Sequence, residues 1–529
     1  MQQFIILLLI ATVSTKAADL GVSVHPIEIA GFKGRQSFAL AGHGTKAIVI
    51  GGRLDGLHRR QPPVSFGPEG EPQTIDVIDF EQRKTWSAPV TGLPADLLDQ
   101  WTSTNSCFVQ VDSFLIMIGG YGIASAGGHR THPVWSIVHV PSLIDAVVQG
   151  KPYASLISYG TGDAFAITGG RAGVLGDTII AVGGHRFDGR YNPMGGSSFT
   201  QSYTNAIRKF VMTSNGGSVT LTYVGEVVDP QHLHRRDFNV VPQVFADSSH
   251  GYTAFSGVFK VGADLPYLDA VDIHASGGHR LVPDFEQYYA HYHCGTLPVY
   301  DRRSASTHTF FLGGIAQFRT SASGGMERND SVPFVNTISR VTRTSDGVLR
   351  EYRLADTLPG LLGAGAEVFH HHAMKLTRHG VIDISPGAKL DNTVAGWVIG
   401  GIRSTAPNIF WINDGTQSEA SAFVAELRLH DATTTVYAAP SDSQRQPAPR
   451  LEVVRIHDVL AIRAYDVSST SVVGLYDVNG RPADVLGSHV FDGQHATMQC
   501  STRSLPQGTY IATVVDGTRL GSTLVTVTR

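Results

Sequence analysis

Arginine and aromatic side chains recur in the long loops that follow several short apolar segments of this chain. A guanidinium group matches a carboxylate or sulfate with two parallel hydrogen bonds, and flat rings stack on sugars or peptide side chains. We therefore predict a face that binds an acidic glycan or a protein ligand. The predicted binding residues are Arg53, Tyr121, His185, Arg186, Arg236 and Trp411. The alternative is that these arginines only keep glycine-rich loops soluble.

Motifs for hydrolytic catalysis are missing from the sequence. It contains neither a Gly-x-Ser-x-Gly nucleophile turn nor a His-Glu-x-x-His zinc motif. An enzyme would instead need titratable groups that converge in one pocket, for which Glu367, Asp163, His185 and Arg236 are the candidates. We favour a binding protein, with an enzyme as the alternative.

Histidines suggest a metal site only weakly. In the run His370-His371-His372, neighbouring side chains of a strand point to opposite faces, so at most two could share one ion. The tripeptide Gly-His-Arg occurs three times, ending at Arg130, Arg186 and Arg280, but at positions that are not equivalent. We attribute this recurrence to chance and predict neither a metal nor a cofactor.

The elements that position these residues are marked by glycine pairs. Short apolar segments end in Gly51-Gly52, Gly119-Gly120, Gly183-Gly184, Gly313-Gly314 and Gly400-Gly401, and a degraded copy ends in Ser256-Gly257. An apolar segment too short for a helix and stopped by glycine is typical of a buried strand. Its recurrence every 55 to 90 residues or so is typical of propeller blades. Six copies predict six blades.

The first unit shows the complete pattern of four strands. Its third strand ends at Phe80, and Trp86 follows six residues later. A buried strand closed by Gly-Gly and followed by this aromatic pair resembles the kelch repeat. The resemblance implies an all-β fold, a six-bladed β-propeller over residues 30–440, whose second-to-third loops all leave on one face.

Kelch proteins also include enzymes, which gives the alternative function a more specific form. The family includes sialic-acid mutarotases, and copper radical oxidases share the architecture but need a Tyr–Cys pair beside histidines. Cys107 and Cys294 fall in the second and fifth units, on opposite sides of the predicted ring and too far apart to form a disulfide.

The last part of the chain has a different pattern. After a polar linker at 441–450, a strand ends in Asp477-Val478-Asn479-Gly480, and a Leu-Pro-x-Gly-x-Tyr strand carries Gly508 and Tyr510. Residues 451–529 resemble the C-terminal sorting domain of type IX secretion substrates. The resemblance implies a small Ig-like β-sandwich and the type IX secretion machinery as a partner. A generic Ig-like domain is the alternative.

The composition and the first residues of the chain indicate in which cellular compartment the protein acts. Residues 1–18 contain an apolar core, Phe4–Ile10, of signal-peptide length. No later segment is long and apolar enough to span a bilayer. Among 529 residues, three cysteines and a net charge of −4 favour neither a disulfide framework nor nucleic-acid binding. We expect a binding protein, secreted or attached to the outer membrane of a Gram-negative bacterium. A passive envelope component is a further alternative.

Overall fold

Antiparallel β-sheets of consecutive strands make up most of the protein. The computed structural model describes residues 19–60, 65–192, 198–215, 218–321, 324–432, 436–437, 450–456, 458–465, 467, 471–477, 483, 487–491, 495–516 and 519–527. The predicted signal peptide, residues 1–18, and residues 441–449 of the predicted linker lie outside these ranges. Within the described part of the chain, no helix is long and apolar enough to cross a membrane.

The first three sheets each contain four strands, numbered here in chain order. Sheet 1 consists of β2 (Ala39–His43), β3 (Lys46–Ile50), β4 (Thr74–Asp79) and β5 (Lys84–Pro89). Sheet 2 consists of β6 (Cys107–Val111), β7 (Phe114–Ile118), β10 (Val134–His139) and β11 (Ile157–Thr161). Sheet 3 consists of β12 (Arg171–Leu175), β13 (Thr178–Val182), β16 (Ala206–Asn215) and β17 (Ser218–Val228).

Three further sheets repeat this order. Sheet 4 consists of β18 (Asn239–Val244), β19 (His250–Phe255), β20 (Ala270–His274) and β21 (His279–Leu281). Sheet 5 consists of β22 (Gly295–Asp301), β23 (Ser306–Ile315), β26 (Phe334–Arg343) and β27 (Leu349–Thr357), with β29 (Ile382–Ile384) and β33 (Val436–Tyr437) at its edges. Sheet 6 consists of β28 (Leu361–His370), β30 (Thr393–Ser404), β32 (Val424–Ala432) and the N-terminal β1 (Asp19–Ile27), and β31 (Ser418–Ala420) pairs with β30.

The six sheets close into a ring. Their first strands contact each other in a cycle, from β2 through β6, β12, β18, β22 and β28 back to β2. At the periphery, β1 pairs with β32 in an antiparallel register that runs from Asp19 opposite Ala432 to Ile27 opposite Val424. Leu20 and Val22 of β1 are fully buried. The described ring thus starts before residue 30, and its arrangement is the propeller-like all-β fold that the kelch resemblance implies.

A closed circle of backbone hydrogen bonds surrounds the ring axis. We call its members the axial ring: Ser37, Asn105, Gly169, Asp237, His293 and Gly365. Each N–H donates to the carbonyl oxygen of the preceding member, and Ser37 donates to Gly365, with N–O distances of 2.7 to 3.1 Å. Each of the six sheets contributes one member, which lies before or within its first strand.

In sheets 1 to 3 the glycine pairs directly follow the second strand, as the sequence predicts, whereas in sheets 5 and 6 they lie within the last residues of β23 and β30. The pairs also join neighbouring sheets. Both glycines of every pair have a positive φ. A Cβ on Gly51 would lie 2.5 Å from the Ser103 carbonyl oxygen, which accepts the Gly52 N–H at 2.8 Å. Only glycine allows this approach, because any Cβ would clash with the carbonyl oxygen. That carbonyl belongs to the segment leading into the next sheet, so the hydrogen bond joins sheets 1 and 2. Ser256 keeps the left-handed conformation in the degraded copy, at φ 54°.

Smaller elements extend the connections between the sheets. The second-to-third connections of sheets 2 and 3 form one four-stranded sheet of β8 (Tyr121–Ile123), β9 (His129–Thr131), β14 (His185–Gly189) and β15 (Phe199–Tyr203). A hairpin of β24 (Phe318–Thr320) and β25 (Met326–Arg328) extends sheet 5. Two α-helices lie in the described part of the chain, α1 (Ala95–Thr102) and α2 (Val140–Val148).

The C-terminal region forms two sheets around its own core. One contains β34 (Arg450–Ile456), β35 (Val459–Tyr465), β38 (His495–Ser501) and β37 (Gly487–Phe491), and the other contains β36 (Val472–Asp477), β39 (Gly508–Asp516) and β40 (Arg519–Val527). Leu460, Ile462, Leu475, Ala512 and Val514 are buried in one apolar cluster.

Candidate functional site

One large cavity opens on the ring where the second-to-third connections converge. Its volume is about 520 Å³, and all six sheets contribute to its lining through these connections. The lining includes Arg53, His58, Arg60 and Phe66 from sheet 1, Tyr121 from sheet 2, His185, Phe187 and Tyr191 from sheet 3, Phe259 and Asp264 from sheet 4, Asp330 and Val332 from sheet 5, and Phe410 and Trp411 from sheet 6. The shared face that the sequence predicts for these loops therefore surrounds a single concave site.

Arg60 is a cation of this cavity that stacks on two aromatic rings. Its guanidinium carbon lies 3.6 Å from the centroid of the Trp411 ring and 5.0 Å from that of Phe410. Among the described residues, no carboxylate forms an ion pair with Arg60. Since aromatic faces leave the N–H groups of a stacked guanidinium available, Arg60 can still bind an anion with them.

The other two cavity arginines are already neutralised by neighbouring carboxylates. Arg53 binds Asp55 with two hydrogen bonds of 2.5 and 2.6 Å. Arg236 forms an ion pair with Asp237 and donates through Nε to the Tyr203 hydroxyl at 3.2 Å. Burial lowers the pKa of Arg236, but these neighbours outweigh it, so its pKa lies above the usual value. Because each is paired with a carboxylate, both arginines have less net positive charge to offer a ligand than Arg60.

Of the three histidines that line the cavity, His58 and His185 are neutral at physiological pH. Burial and the nearby charge of Arg236 lower the pKa of His58 to about 4. The same two causes hold the pKa of His185 well below its usual range. The Gln201 amide donates to Nδ1 of His185 at 2.8 Å, so the imidazole carries its proton on Nε2. Neutral imidazoles suit hydrogen bonds to hydroxyl groups.

Aromatic rings form much of the wall. The His58 ring lies 4.8 Å from the Tyr191 ring between centroids, at an interplanar angle of 70°. Phe66 packs edge-on against Tyr121 at 5.1 Å, and the Tyr121 hydroxyl donates to the Gly189 carbonyl at 2.8 Å. These contacts fix the rings in place. The wall is thus largely rigid and apolar, with polar groups at a few positions, which is the usual composition of a small-molecule site.

A compact ionic cluster, which we call the floor cluster, lies at the axial ring beneath the cavity. Glu367 accepts two hydrogen bonds from Arg171, at 2.9 and 3.2 Å, and lies 2.9 Å from Nε2 of His293. These residues come from sheets 6, 3 and 5. Burial raises the pKa of Glu367, but Arg171 and His293 outweigh it and lower the pKa to about 2. A space of about 10 Å³ beside Arg171 and His293 adjoins the main cavity.

Five of the six predicted binding residues line the cavity: Arg53, Tyr121, His185, Arg236 and Trp411. Arg186 does not, because β14 alternates its side chains and places Arg186 outside between buried His185 and Phe187. The Arg186 Nε instead lies 2.8 Å from an Asp188 carboxylate oxygen.

The candidate catalytic residues do not converge as one group. His185 and Arg236 line the cavity, whereas Glu367 is held in the floor cluster. The Asp163 side chain is almost entirely exposed and faces Arg186, so the prediction of Asp163 as a pocket residue is wrong. Cys107 and Cys294 are free, as is Cys500, and no cysteine is among the described lining residues.

Arg60, His58 and Tyr191 are among the lining residues that the six predicted positions missed. All three lie in the same loops as predicted residues. Their loop position was therefore visible in the sequence, but which side chains turn inward was not.

Comparison with known proteins gives remote structural likenesses alone. No family model matches the chain. No curated protein sequence matches it either. A solved structure of YjhT has a TM-score of 0.43 and 12% identity, covering 78% of this chain and 99% of its own. A fungal alcohol oxidase of the AA5 family, solved with copper, has a TM-score of 0.36 and 10% identity, covering 97% of this chain and 100% of its own. The residues of the cavity itself therefore have to carry the functional assignment.

Proposed function

We propose that the ring binds an acidic sugar, carrying a carboxylate or sulfate, in the cavity formed by its second-to-third connections. The observation that carries this proposal is Arg60, a cation stacked on Trp411 without an ion-pair partner among the described residues. A guanidinium in this state gains a strong charge-assisted hydrogen bond when an anion arrives.

The shape of the site favours a sugar over a protein partner. Its volume of about 520 Å³ lies within the range of small-molecule pockets, roughly 300 to 1,000 Å³. A flat protein surface would leave such a concavity unfilled. Rings such as Trp411 and Tyr191 offer stacking faces, and the neutral imidazoles of His58 and His185 can bond to hydroxyl groups.

Titration of the purified protein with matched oligosaccharides tests the proposal. We expect sulfated or carboxylated sugars to bind more tightly than their neutral counterparts in isothermal calorimetry. Arg60→Ala should weaken this binding by about 10- to 100-fold, the worth of one hydrogen bond to a charged group. Arg186→Ala is the matched control, because Arg186 lies in a neighbouring loop but outside the cavity.

Two results would contradict the acidic-sugar proposal. One is equal affinity for neutral and acidic sugars, and the other is equal loss of affinity in the Arg60 and Arg186 variants. Nuclear magnetic resonance of the same mixtures would reveal any change in the bound sugar. Turnover that depends on the cavity would replace the binding function with the alternative, a sugar-modifying enzyme.

We also propose that sheets 1 to 6 are the six blades of a kelch-type propeller and that the C-terminal sheets form an Ig-like sorting domain. Supporting this, Asp477 of β36 lies directly opposite Tyr510 of β39. Asn479 and Gly480 of the motif lie outside the described residues. The proposed partner is the type IX secretion machinery, and the proposed location is outside a Gram-negative cell. Deletion of residues 450–529 should abolish surface display, and unchanged display would refute the sorting role.

A further inference from the structure

Asp229, His232 and His279 converge on one point outside the cavity. Asp229 and His232 lie in the connection from β17 to β18, and His279 is the first residue of β21. One ligand atom from each of the three, a carboxylate oxygen and two imidazole nitrogens, lies within 4.8 Å of the others. All three side chains are partly buried. Residues from sheet 4 and from the segment leading into it thus meet at one carboxylate.

The carboxylate is already oriented toward the imidazoles. Its Oδ1 accepts the backbone N–H groups of Gln231 and His232, at 2.9 and 3.1 Å. Its Oδ2 lies 2.8 Å from Nδ1 of His232 and 2.8 Å from Nε2 of His279. The backbone holds the turn as well, because the Leu233 N–H donates to the Asp229 carbonyl at 2.9 Å. One oxygen therefore fixes the side chain and leaves the other for the imidazoles.

Two imidazoles and one carboxylate form a donor set suited to a first-row divalent ion such as zinc or iron. Neighbouring ligands of an ion bonded at about 2.1 Å lie about 3 Å apart in octahedral geometry, close to the 2.8 Å between Oδ2 and each nitrogen. Three protein ligands leave further positions for water.

We propose that Asp229, His232 and His279 bind a divalent transition-metal ion that ties the connection between sheets 3 and 4 to the outer strand of sheet 4. In the absence of the ion, the three side chains form a hydrogen-bonded cluster. With the ion bound, the tie is stronger, because coordinate bonds replace hydrogen bonds between residues about 50 positions apart in sequence. The same connection carries Arg236 four residues after His232, so the ion would also stiffen one cavity residue's backbone.

Zinc titration of the full-length protein tests this site. After chelator treatment and desalting, we expect calorimetry to show one saturable ion per chain and the melting temperature to rise on zinc addition. His279→Ala should weaken zinc binding by about 100-fold or more, because loss of a residue that merely supports a metal ligand already costs about 10- to 100-fold in affinity. Cobalt in place of zinc should give visible absorption bands that this variant lacks.

The control removes a different pair of histidines. His371 and His372 stack at 4.5 Å elsewhere on the ring, and His371→Ala with His372→Ala should leave zinc affinity unchanged. If His279→Ala does not fold, His232→Gln serves instead, because glutamine keeps a donor beside Asp229. The proposal is overturned if the wild type shows no saturable binding, if the site variants bind zinc as tightly, or if the control variant loses it.

Discussion

The floor cluster and the cavity above it both combine arginine with histidine, yet Arg171 of the floor cluster and Arg60 of the cavity have opposite kinds of partner. In the floor cluster, Arg171 neutralises Glu367 and His293 lies in close contact with it. In the cavity, Arg60 lies beside the faces of Trp411 and Phe410 and has no ion-pair partner within the described ranges. A fully paired cluster joins strands, because each charge is satisfied within the protein. A cation without an acidic partner gains little for the fold and remains able to bind a ligand.

The largest effect that we expect from breaking this contrast comes from Glu367→Gln. It leaves Arg171 without its carboxylate among the inner strands, and loss of one partner of a buried pair costs about 3 kcal/mol. The free energy of unfolding, measured by urea denaturation, should fall accordingly. Arg186→Ala, which breaks an exposed pair, should change it by no more than about 0.5 kcal/mol. Equal unfolding free energies for the two variants would contradict the inference that the floor cluster stabilises the fold.

Arg236→Ala should give an intermediate result, because Arg236 lines the cavity and is also paired. We expect sugar affinity to fall about tenfold through the lost cation, and stability to fall by about 1 to 2 kcal/mol because Asp237 loses its partner. Calorimetry and urea denaturation on the same preparation measure the two losses. A variant that lost stability but kept its sugar affinity would show that Arg236 stabilises the fold, as the floor cluster does, and does not bind the ligand.

Trp411→Ala sharpens the contrast from the ligand side. The Trp411 side chain is 62% exposed, so its removal should leave the unfolding free energy almost unchanged. Loss of its cation–π contact with Arg60 should lower sugar affinity by about 3- to 5-fold, equivalent to roughly 0.5 to 1 kcal/mol. Isothermal calorimetry measures the affinity. An affinity equal to that of the wild type would show that the indole does not help to hold Arg60 for the ligand.

The smallest expected effect is the response of the cavity to pH. Because His58 and His185 have lowered pKa values, neither imidazole becomes charged between pH 8 and about pH 5.5, and neither should change the affinity for a sulfated sugar over this range. A pH series of binding constants measures this. A rise in affinity as the pH falls through 6.5 would mean that a cavity imidazole becomes charged.

The floor cluster should respond only to stronger acid. The pKa of Glu367 falls from its ordinary 4.5 to about 2 on folding, so the ionised carboxylate stabilises the protein above pH 4.5. This contribution is lost as the pH falls from 4.5 towards 2. Acid unfolding of Glu367→Gln should lack this component, and an identical acid profile would contradict it.

Sequence periodicity predicted the strands well but not the direction of single side chains. Five glycine pairs and the degraded copy Ser256-Gly257 located the second strands of the six sheets, since the pattern depends on backbone conformation and local burial. His185 and Arg186 were both predicted to bind, yet adjacent residues of β14 cannot face the same cavity. That loop carried no clear strand pattern, so the alternation became visible only with the pairing of β14 and β15.

Contacts between distant segments were the other part that the sequence did not reveal. The three Gly-His-Arg copies were dismissed because they are not equivalent in the repeat, yet His279 of one copy meets Asp229 from a different sheet connection. Similarly, the alternating apolar residues of β1 complete a sheet whose other strands follow more than 300 residues later. These contacts between distant segments form only when the ring closes, and the pattern of residues within a short segment does not specify that closure.

The axial ring has a consequence for the order in which the molecule assembles. Its six hydrogen bonds run in one direction around the axis, and the last of them joins Ser37 to Gly365. At the periphery, β1 from the start of the chain pairs with β32 from the end of the ring. The ring is therefore closed twice, by the hydrogen bond from Ser37 to Gly365 at the axis and by the pairing of β1 with β32 at the rim. Such distant pairing comes late in folding, because the chain loses the entropy of closing a loop of several hundred residues before the new contacts stabilise it. A chain released before residue 361 would therefore remain an open arc without the sixth wall of the cavity, and one released before residue 424 would lack the partner strand of β1.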